Sequence, residues 1–336
     1  MEQKTILFYY ELFFAGGTEH SILKMIKQLY KKYKVIVAYD NPNTQEMVLK
    51  EIRKYAEVIN LNNIQHVNID ICICCSQRKQ IQFNEFSNKV IAKKYFGWKH
   101  MLFFETYKDA EYEKSYRDNL SKFICVSEAV KSDLIKKYPE LESKCIVIYN
   151  YIDVEEVIEK SAENCDLQVD ESKLNFISVS RLAFDKGFHR MKMMCDSLDE
   201  RNVDYKWYVI GKAYTDEIDR EIKNMFKGND KVEFLGYKDN PFPYIKKMNY
   251  YVLLSEREAW GLAISESLIL KVPCIVTDFE AATYQINNSN GIIVPRETDS
   301  YSGFIDNIIN NKYTIKDVNY DNSIMDWIKL IEGETK

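Results

Sequence analysis

Short apolar runs alternate with amphipathic stretches from one end of the chain to the other. Thr5-Ile6-Leu7-Phe8-Tyr9-Tyr10 reads as a strand, being rich in β-branched, aliphatic and aromatic residues. Thr18 then suits an N-cap, and Ile22, Met25, Ile26 and Leu29 fall on one face of a helix. Val35-Ile36-Val37-Ala38-Tyr39 is a second strand, and a helix is expected near 45–55. Val58-Ile59-Asn60-Leu61, Ile69-Asp70-Ile71-Cys72-Ile73-Cys74-Cys75 and the stretch 89–96 continue the series. Phe123-Ile124-Cys125-Val126 precedes Ser127, which caps a helix running to Tyr138, where Pro139 stops it. Ile146-Val147-Ile148-Tyr149 closes the first half.

The second half starts the same pattern again. Asn175-Phe176-Ile177-Ser178-Val179 is a strand, and a helix follows Gly187. Trp207-Tyr208-Val209-Ile210 ends at Gly211, and Val232-Glu233-Phe234-Leu235 ends at Gly236. Tyr250-Tyr251-Val252-Leu253-Leu254 is a fourth strand, with a helix expected over about 262–270. Pro273 opens the strand Cys274-Ile275-Val276-Thr277, a position where proline is tolerated. Gly291-Ile292-Ile293-Val294 stops at Pro295, and helices near 301–310 and 324–331 finish the chain.

Repeated strand–helix alternation implies parallel sheets covered by helices. The fold class expected is α/β, with two Rossmann-like doubly wound domains facing each other across a cleft. The polar segment 153–172 marks the boundary between them. The domains are expected at 1–153 and 154–320, with a C-terminal helix in 321–336 packing back on the first. In such sheets ligands bind at the carboxyl ends of strands, so the informative residues are those just after each strand.

Composition narrows the reading. A chain of 336 residues, 46% apolar and 29% charged, is long enough for two cores. A net charge of −5 disfavours a broad nucleic-acid surface, and the run Lys89, Lys93, Lys94, Lys99 reads as a solvated face. Cysteines that alternate within an apolar strand, as Cys72 and Cys74 do, behave as small core residues. A zinc site would need two Cys-x-x-Cys pairs, which the chain lacks, so no metal site is expected. No apolar run is long enough to span a bilayer, and Glu2 and Lys4 precede a short strand rather than a leader segment. The expected location is therefore the cytoplasm, with reduced thiols.

Two strand-end segments carry candidate chemistry. The first is Ser255-Glu256-Arg257-Glu258-Ala259-Trp260-Gly261-Leu262-Ala263-Ile264-Ser265-Glu266. Glu258 falls in the loop after a strand and Glu266 about one turn into the next helix. The turn Trp260-Gly261-Leu262 opens that helix, whose first N–H groups suit a phosphate. The two carboxylates can accept bonds from sugar and ribose hydroxyls. They are also compatible with surface glutamates favoured by the helix dipole. The second segment, Ser180-Arg181-Leu182-Ala183-Phe184-Asp185-Lys186-Gly187, brings two cations onto one short loop. A guanidinium fork and an ammonium neutralise a departing diphosphate.

Taken together, these motifs resemble those of the family-4 retaining glycosyltransferases, which share the GT-B fold. The resemblance covers about 177–295. It rests on Arg181-Leu182, Lys186-Gly187, Ile210-Gly211, Phe234-Leu235-Gly236, Ser255 with Glu258 and Glu266, and Asn290-Gly291-Ile292-Ile293-Val294-Pro295. Looser likenesses in the first half are Gly16-Gly17-Thr18-Glu19, Phe123-Ile124-Cys125-Val126-Ser127-Glu128 and Tyr149-Asn150-Tyr151-Ile152-Asp153. His100, before an expected strand at 101–104, falls where the family's active-site histidine would stand.

The resemblance implies a donor that is a nucleotide-diphosphate sugar, expected to be UDP-linked, held on the second domain. An acceptor, a glycan or a lipid-linked one, would meet the first domain. It implies retention of anomeric configuration, surface-polysaccharide assembly, and a place at the inner membrane face with peripheral contact. Arg181 and Lys186 would stabilise the diphosphate, Glu266 the ribose, and Glu258 the donor sugar. Gly16, Gly17, Gly236, Trp260, Gly261 and Leu262 would line the donor site, and His100 would meet the sugar near its reactive carbon. No resident cofactor is expected. The sequence has no Asp-x-Asp to hold a divalent ion, so cations and a helix dipole would do that work.

Two departures stand out. Ala259 and Trp260 replace the family's usual Gly-Phe, and Tyr284 stands near the place of a glutamate. Two alternatives follow. One is an epimerase or hydrolase on the same fold. The other is a non-catalytic subunit that stabilises a partner transferase.

Overall fold

A computed structural model describes residues 3–11, 13, 17–75, 83–102, 114–317 and 322–334. The chain divides into two compact units, Met1–Ile152 with Tyr320–Lys336, and Asp153–Asn319.

In chain order the first unit contains β1 (Thr5–Tyr9), α1 (Gly17–Leu29), β2 (Lys34–Tyr39), α2 (Glu46–Ile52), β3 (Glu57–Asn60), β4 (Val67–Cys74) and α3 (Phe83–Lys89). β5 (Val90–Lys99), α4 (Lys114–Asn119), β6 (Lys122–Cys125), α5 (Glu128–Lys137) and β7 (Cys145–Val147) follow. The strands form one sheet in the order β3-β2-β1-β4-β5-β6-β7, with every described pairing parallel. Ile6, Leu7 and Phe8 are fully buried, which explains why β1 is continuously apolar rather than alternating. Cys72 and Cys74 project from the same side of β4 with their sulfurs 3.8 Å apart, and all eight cysteines are free thiols.

The second unit contains α6 (Val154–Ser161), β8 (Leu174–Val179), α7 (Phe188–Glu200), β9 (Tyr205–Ile210), α8 (Asp216–Asn224), β10 (Val232–Gly236) and α9 (Phe242–Ile245). Then come β11 (Tyr250–Leu253), α10 (Leu262–Ile269), β12 (Cys274–Thr277), α11 (Ala282–Gln285), β13 (Gly291–Val294) and α12 (Ser302–Asn310). Its parallel sheet runs β10-β9-β8-β11-β12-β13. Phe176, Trp207, Tyr250, Met194 and Ile305 lie in the core cluster of this unit.

The last helix, α13 (Asn322–Glu332), belongs to the first unit. Trp327 is fully buried and meets Trp98 of β5 edge-on, with ring centroids 4.8 Å apart. Glu332 accepts from Tyr33 Oη at 2.7 Å and from Lys4 Nζ at 2.5 Å, with Lys32 at 3.2 Å. Aromatic packing thus fixes the middle of the helix, and a carboxylate shared by three donors fixes its end.

Local expectations differ from the structure in four places. α1 begins at Gly17, so Thr18 lies in its first turn instead of capping it from outside. The polar stretch 153–172 is not simply a linker, because Asp153 caps α6 by accepting from Glu156 N at 3.0 Å. His100 follows the strand β5 rather than preceding one, and Met101 and Leu102 are not extended into a strand. The remainder of that expected strand lies outside the described residues. The lysine run is no single face either: Lys89 donates to the Leu61 carbonyl, Lys93 pairs with Asp70, and Lys99 is buried. Among the described residues, no helix is long and apolar enough to cross a membrane.

Candidate functional site

β8 and β11 are neighbours at the centre of the second sheet, although α7, β9, α8, β10 and α9 separate them in the chain. Chain direction across the sheet reverses between them, which makes the space beyond their carboxyl ends the fold's natural ligand position. Both candidate segments leave the sheet there.

The loop after β8 tightens into a 3-10 turn at Phe184–Lys186 and ends at Gly187, which is left-handed at φ 74°. A Cβ on Gly187 would come within 1.8 Å of the Leu254 carbonyl oxygen, so only glycine lets this loop lie against the end of β11. Glu256 N donates to Asp185 O at 2.8 Å and joins the two loops through the backbone. Lys186 Nζ reaches Glu258 Oε1 at 2.8 Å, and their side chains are 14% and 15% exposed. Ser255 Oγ donates to the same Oε1 at 2.8 Å. The Ser255 carbonyl in turn accepts from Thr277 Oγ1 at 2.6 Å, at the end of β12.

Arg181 is different. Its side chain is 45% exposed, 3.7 Å from Asp185, and its guanidinium lies 5.1 Å from the Tyr214 ring centroid. The structure therefore combines a half-exposed cation with a nearly buried one whose charge is balanced by a carboxylate.

Gly261, at φ 83°, turns the chain into α10 and, as the N-cap residue, offers that helix no capping side chain. Leu262 is the first helical residue, and Glu266 sits one turn further, buried at 9% exposure. Glu258 and Glu266 both act on Tyr251, whose hydroxyl donates to the Val179 carbonyl at 3.1 Å. Burial first, then the Glu258 and Glu266 carboxylates among the nearby charges, push that phenol well above its ordinary pKa. Gly236 closes β10, and its carbonyl accepts from Gly211 N at 2.9 Å. Trp260 does not present its indole to the loop: it is buried and donates to Ser265. Tyr284 is half exposed, and the side chain that reaches the loop from α11 is Gln285.

Two residues that the sequence reading passed over hold this end of the sheet together. Arg190 of α7 is buried and donates to Leu254 O at 3.2 Å, to Arg296 O at 3.1 Å and to the Glu256 carboxylate. Arg296 donates to Glu256 O at 2.7 Å and to Asp278 at 3.0 Å. The available signal was spacing: Arg190 stands at helical intervals from Met194 and Leu198, on a face otherwise apolar.

In the first unit, Gly17 is the exposed first residue of α1, and Gly16 lies outside the described residues. His100 is buried against Trp98, with ring centroids 4.2 Å apart, and its Nε2 has no hydrogen-bond partner among the described residues. Burial lowers its pKa to about 3, so the ring is neutral. A groove of about 450 Å³ in the second unit is lined by Leu174, Asn249, Tyr250, Lys271, Pro273 and Tyr313. It opens at the amino ends of the strands, away from these carboxylates and cations, and the chemistry does not follow it.

The two parallel sheets have the fold of GT-B glycosyltransferases. A solved Anabaena protein, HepE, in complex with UDP and glucose superposes with TM-score 0.75 at 15% identity, covering 98% of this chain and 100% of that one. Residues 159–323, nearly the whole of the second unit, match the family model of glycosyl transferases group 1. Among curated relatives, a Campylobacter jejuni protein is 27% identical over 172 residues, covering 50% of this chain and 45% of its own length. It is N-acetylgalactosamine-N,N'-diacetylbacillosaminyl-diphospho-undecaprenol 4-alpha-N-acetylgalactosaminyltransferase. CapM, the capsular polysaccharide biosynthesis glycosyltransferase of Staphylococcus aureus, is 27% identical over 184 residues, covering 52% of this chain and 48% of CapM. The chain thus spans about half the length of each of these two relatives.

Proposed function

We propose that this protein is a retaining, metal-independent glycosyltransferase. It moves a sugar from a nucleoside-diphosphate donor, UDP-linked, to a glycan or lipid-linked acceptor in surface-polysaccharide assembly. The observation that carries the reading is the meeting of Lys186 with Glu258, beside Arg181, at the reversal point of the second sheet.

Arg181, Lys186 and the first N–H groups of α10 take the diphosphate, where negative charge develops as the sugar bond breaks. Glu258 accepts from donor-sugar hydroxyls and Glu266 from the ribose. The sugar passes through an oxocarbenium-like state, and the departing phosphate oxygen takes the acceptor proton, so no separate base is needed. The relatives support the acceptor class: one carries an undecaprenol diphosphate acceptor and an α linkage in its name, and the other serves capsule synthesis. A protein working on such acceptors would sit at the inner membrane face through peripheral contact.

A thermal-shift screen across nucleoside diphosphates and their sugars tests this. A ligand present at about 100 times its Kd stabilises the native state by about 2.7 kcal/mol, so the right donor stands out from the rest. Absence of any shift with every nucleotide would remove the donor site. Donor turnover without acceptor would favour an epimerase or hydrolase instead.

A further inference from the structure

Trp260 is held at both ends. Its indole Nε1 donates to Ser265 Oγ at 3.1 Å, Ser265 Oγ donates to Gln285 Oε1 at 2.6 Å, and Gln285 Nε2 donates back to the Trp260 carbonyl oxygen. All three residues are buried. The direction of every bond is forced. An indole N–H can only donate and a carbonyl can only accept, so the serine hydroxyl must accept from one side and donate to the other, and the amide must use its oxygen toward Ser265 and its nitrogen toward Trp260.

We propose that Ser265 and Gln285, acting through Trp260, are positioning residues for the donor site. The ring ties the loop after β11 to the first turn of α10 and to α11. Between Glu258 and Leu262 the chain has only Ala259, Trp260 and the left-handed Gly261, and the N-cap residue Gly261 has no side chain with which to set the start of α10. Trp260 is clamped through both side chain and backbone, which fixes the angle at which this stretch leaves the sheet. From one side of the clamp the chain presents Glu258 to Lys186; from the other it presents the opening N–H groups of α10. A bulkier residue than the family's phenylalanine is therefore not simply tolerated here, because its N–H is the first link of the ring. Glutamine is required at 285 as an amide, since a carboxylate would lack the N–H that the Trp260 carbonyl accepts and would be a buried charge.

This inference rests on the donor-site reading, and the experiment separates the two. Wild type, Gln285→Leu and Trp260→Phe are titrated with UDP, with ADP and GDP alongside, well below each melting transition, and kcat and KM for transfer are measured under the same conditions. Opening the ring is expected to weaken bare nucleotide about tenfold and to lower kcat as well, because both the diphosphate contacts and Glu258 move. A purely structural role would lower the melting temperature and leave binding and kcat of the folded protein as in wild type, and that result overturns the proposal while the donor site stands. Wild type that binds none of the three nucleotides overturns the donor site itself. If Gln285→Leu does not fold, Trp260→Phe decides, because it keeps a buried aromatic ring, though a smaller one, and leaves both Gln285 bonds in place while removing the indole N–H.

Discussion

Lys186 and Glu258 are 72 residues apart in the chain and 2.8 Å apart in space, each almost enclosed by the loops that carry it. The cation and the anion balance each other at the strand ends, where both loops leave the sheet. They also make the pair a measurable contributor to stability.

Lys186→Met leaves Glu258 nearly buried without its cation and should destabilise the protein by about 1.5–3 kcal/mol, the range for a charged hydrogen bond. Lys186→Met/Glu258→Gln should recover part of that loss, and urea unfolding of the four proteins in the cycle reads the coupling. A coupling indistinguishable from zero would mean the contact is incidental. Arg181→Ala, at a half-exposed site, should change stability by no more than about 0.5 kcal/mol yet weaken nucleoside-diphosphate binding.

The two glutamates should separate by ligand. Glu258→Gln is expected to cut transfer strongly while bare nucleoside diphosphate still binds nearly as well, because its sugar contacts strengthen as the ring flattens. Glu266→Gln is expected to weaken the bare nucleotide, because the ribose contact needs no sugar. Titration of both variants with nucleoside diphosphate, followed by transfer assays, checks this; the opposite pattern would exchange the two roles.

Transfer should survive EDTA. The sequence has no Asp-x-Asp, and two cations stand at the strand ends instead. Activity abolished by EDTA and restored by Mn²⁺ or Mg²⁺ would show that a metal carries the charge.

His100 gives a pH signature of folding. Its pKa falls from 6.5 to about 3 on burial, so the native state holds fewer protons there than the unfolded chain. Stability from this group is present above the unfolded value of about 6.5 and is lost as pH drops toward 3. Unfolding free energy measured between pH 4 and 7 should fall with acidity, and His100→Phe should flatten that slope by up to one proton. An identical slope in both proteins would show that His100 is not buried as a neutral ring.

Much of this was legible beforehand because it is local. Strand runs at 5–10, 35–39 and 250–254 are close to β1, β2 and β11, since burial on both faces forces continuous apolar sequence. Ser127 caps α5 as its residue type suggests, accepting from Val130 N at 3.1 Å. Short or polar elements escaped. α8, with only Ile218 and Ile222 apolar among charged and polar residues, and α11, with four residues, carry too few apolar positions to register. Arg190 was missed because a charged residue within an apolar face looks like an interruption until its carbonyl partners are in view.

The sequence by itself determined which residue types follow which strands: Arg181 and Lys186 after one, Glu258 and then Glu266 after another, with glycines where the backbone must turn left-handed. Only the tertiary structure decided that β8 and β11 are neighbours, that Lys186 therefore spends its charge on Glu258, and that Trp260 turns inward to a ring closed by Gln285. Periodicity and capping are set within a few residues of chain, whereas strand order and side-chain pairing depend on how whole crossovers pack, an energy to which no single segment holds the terms.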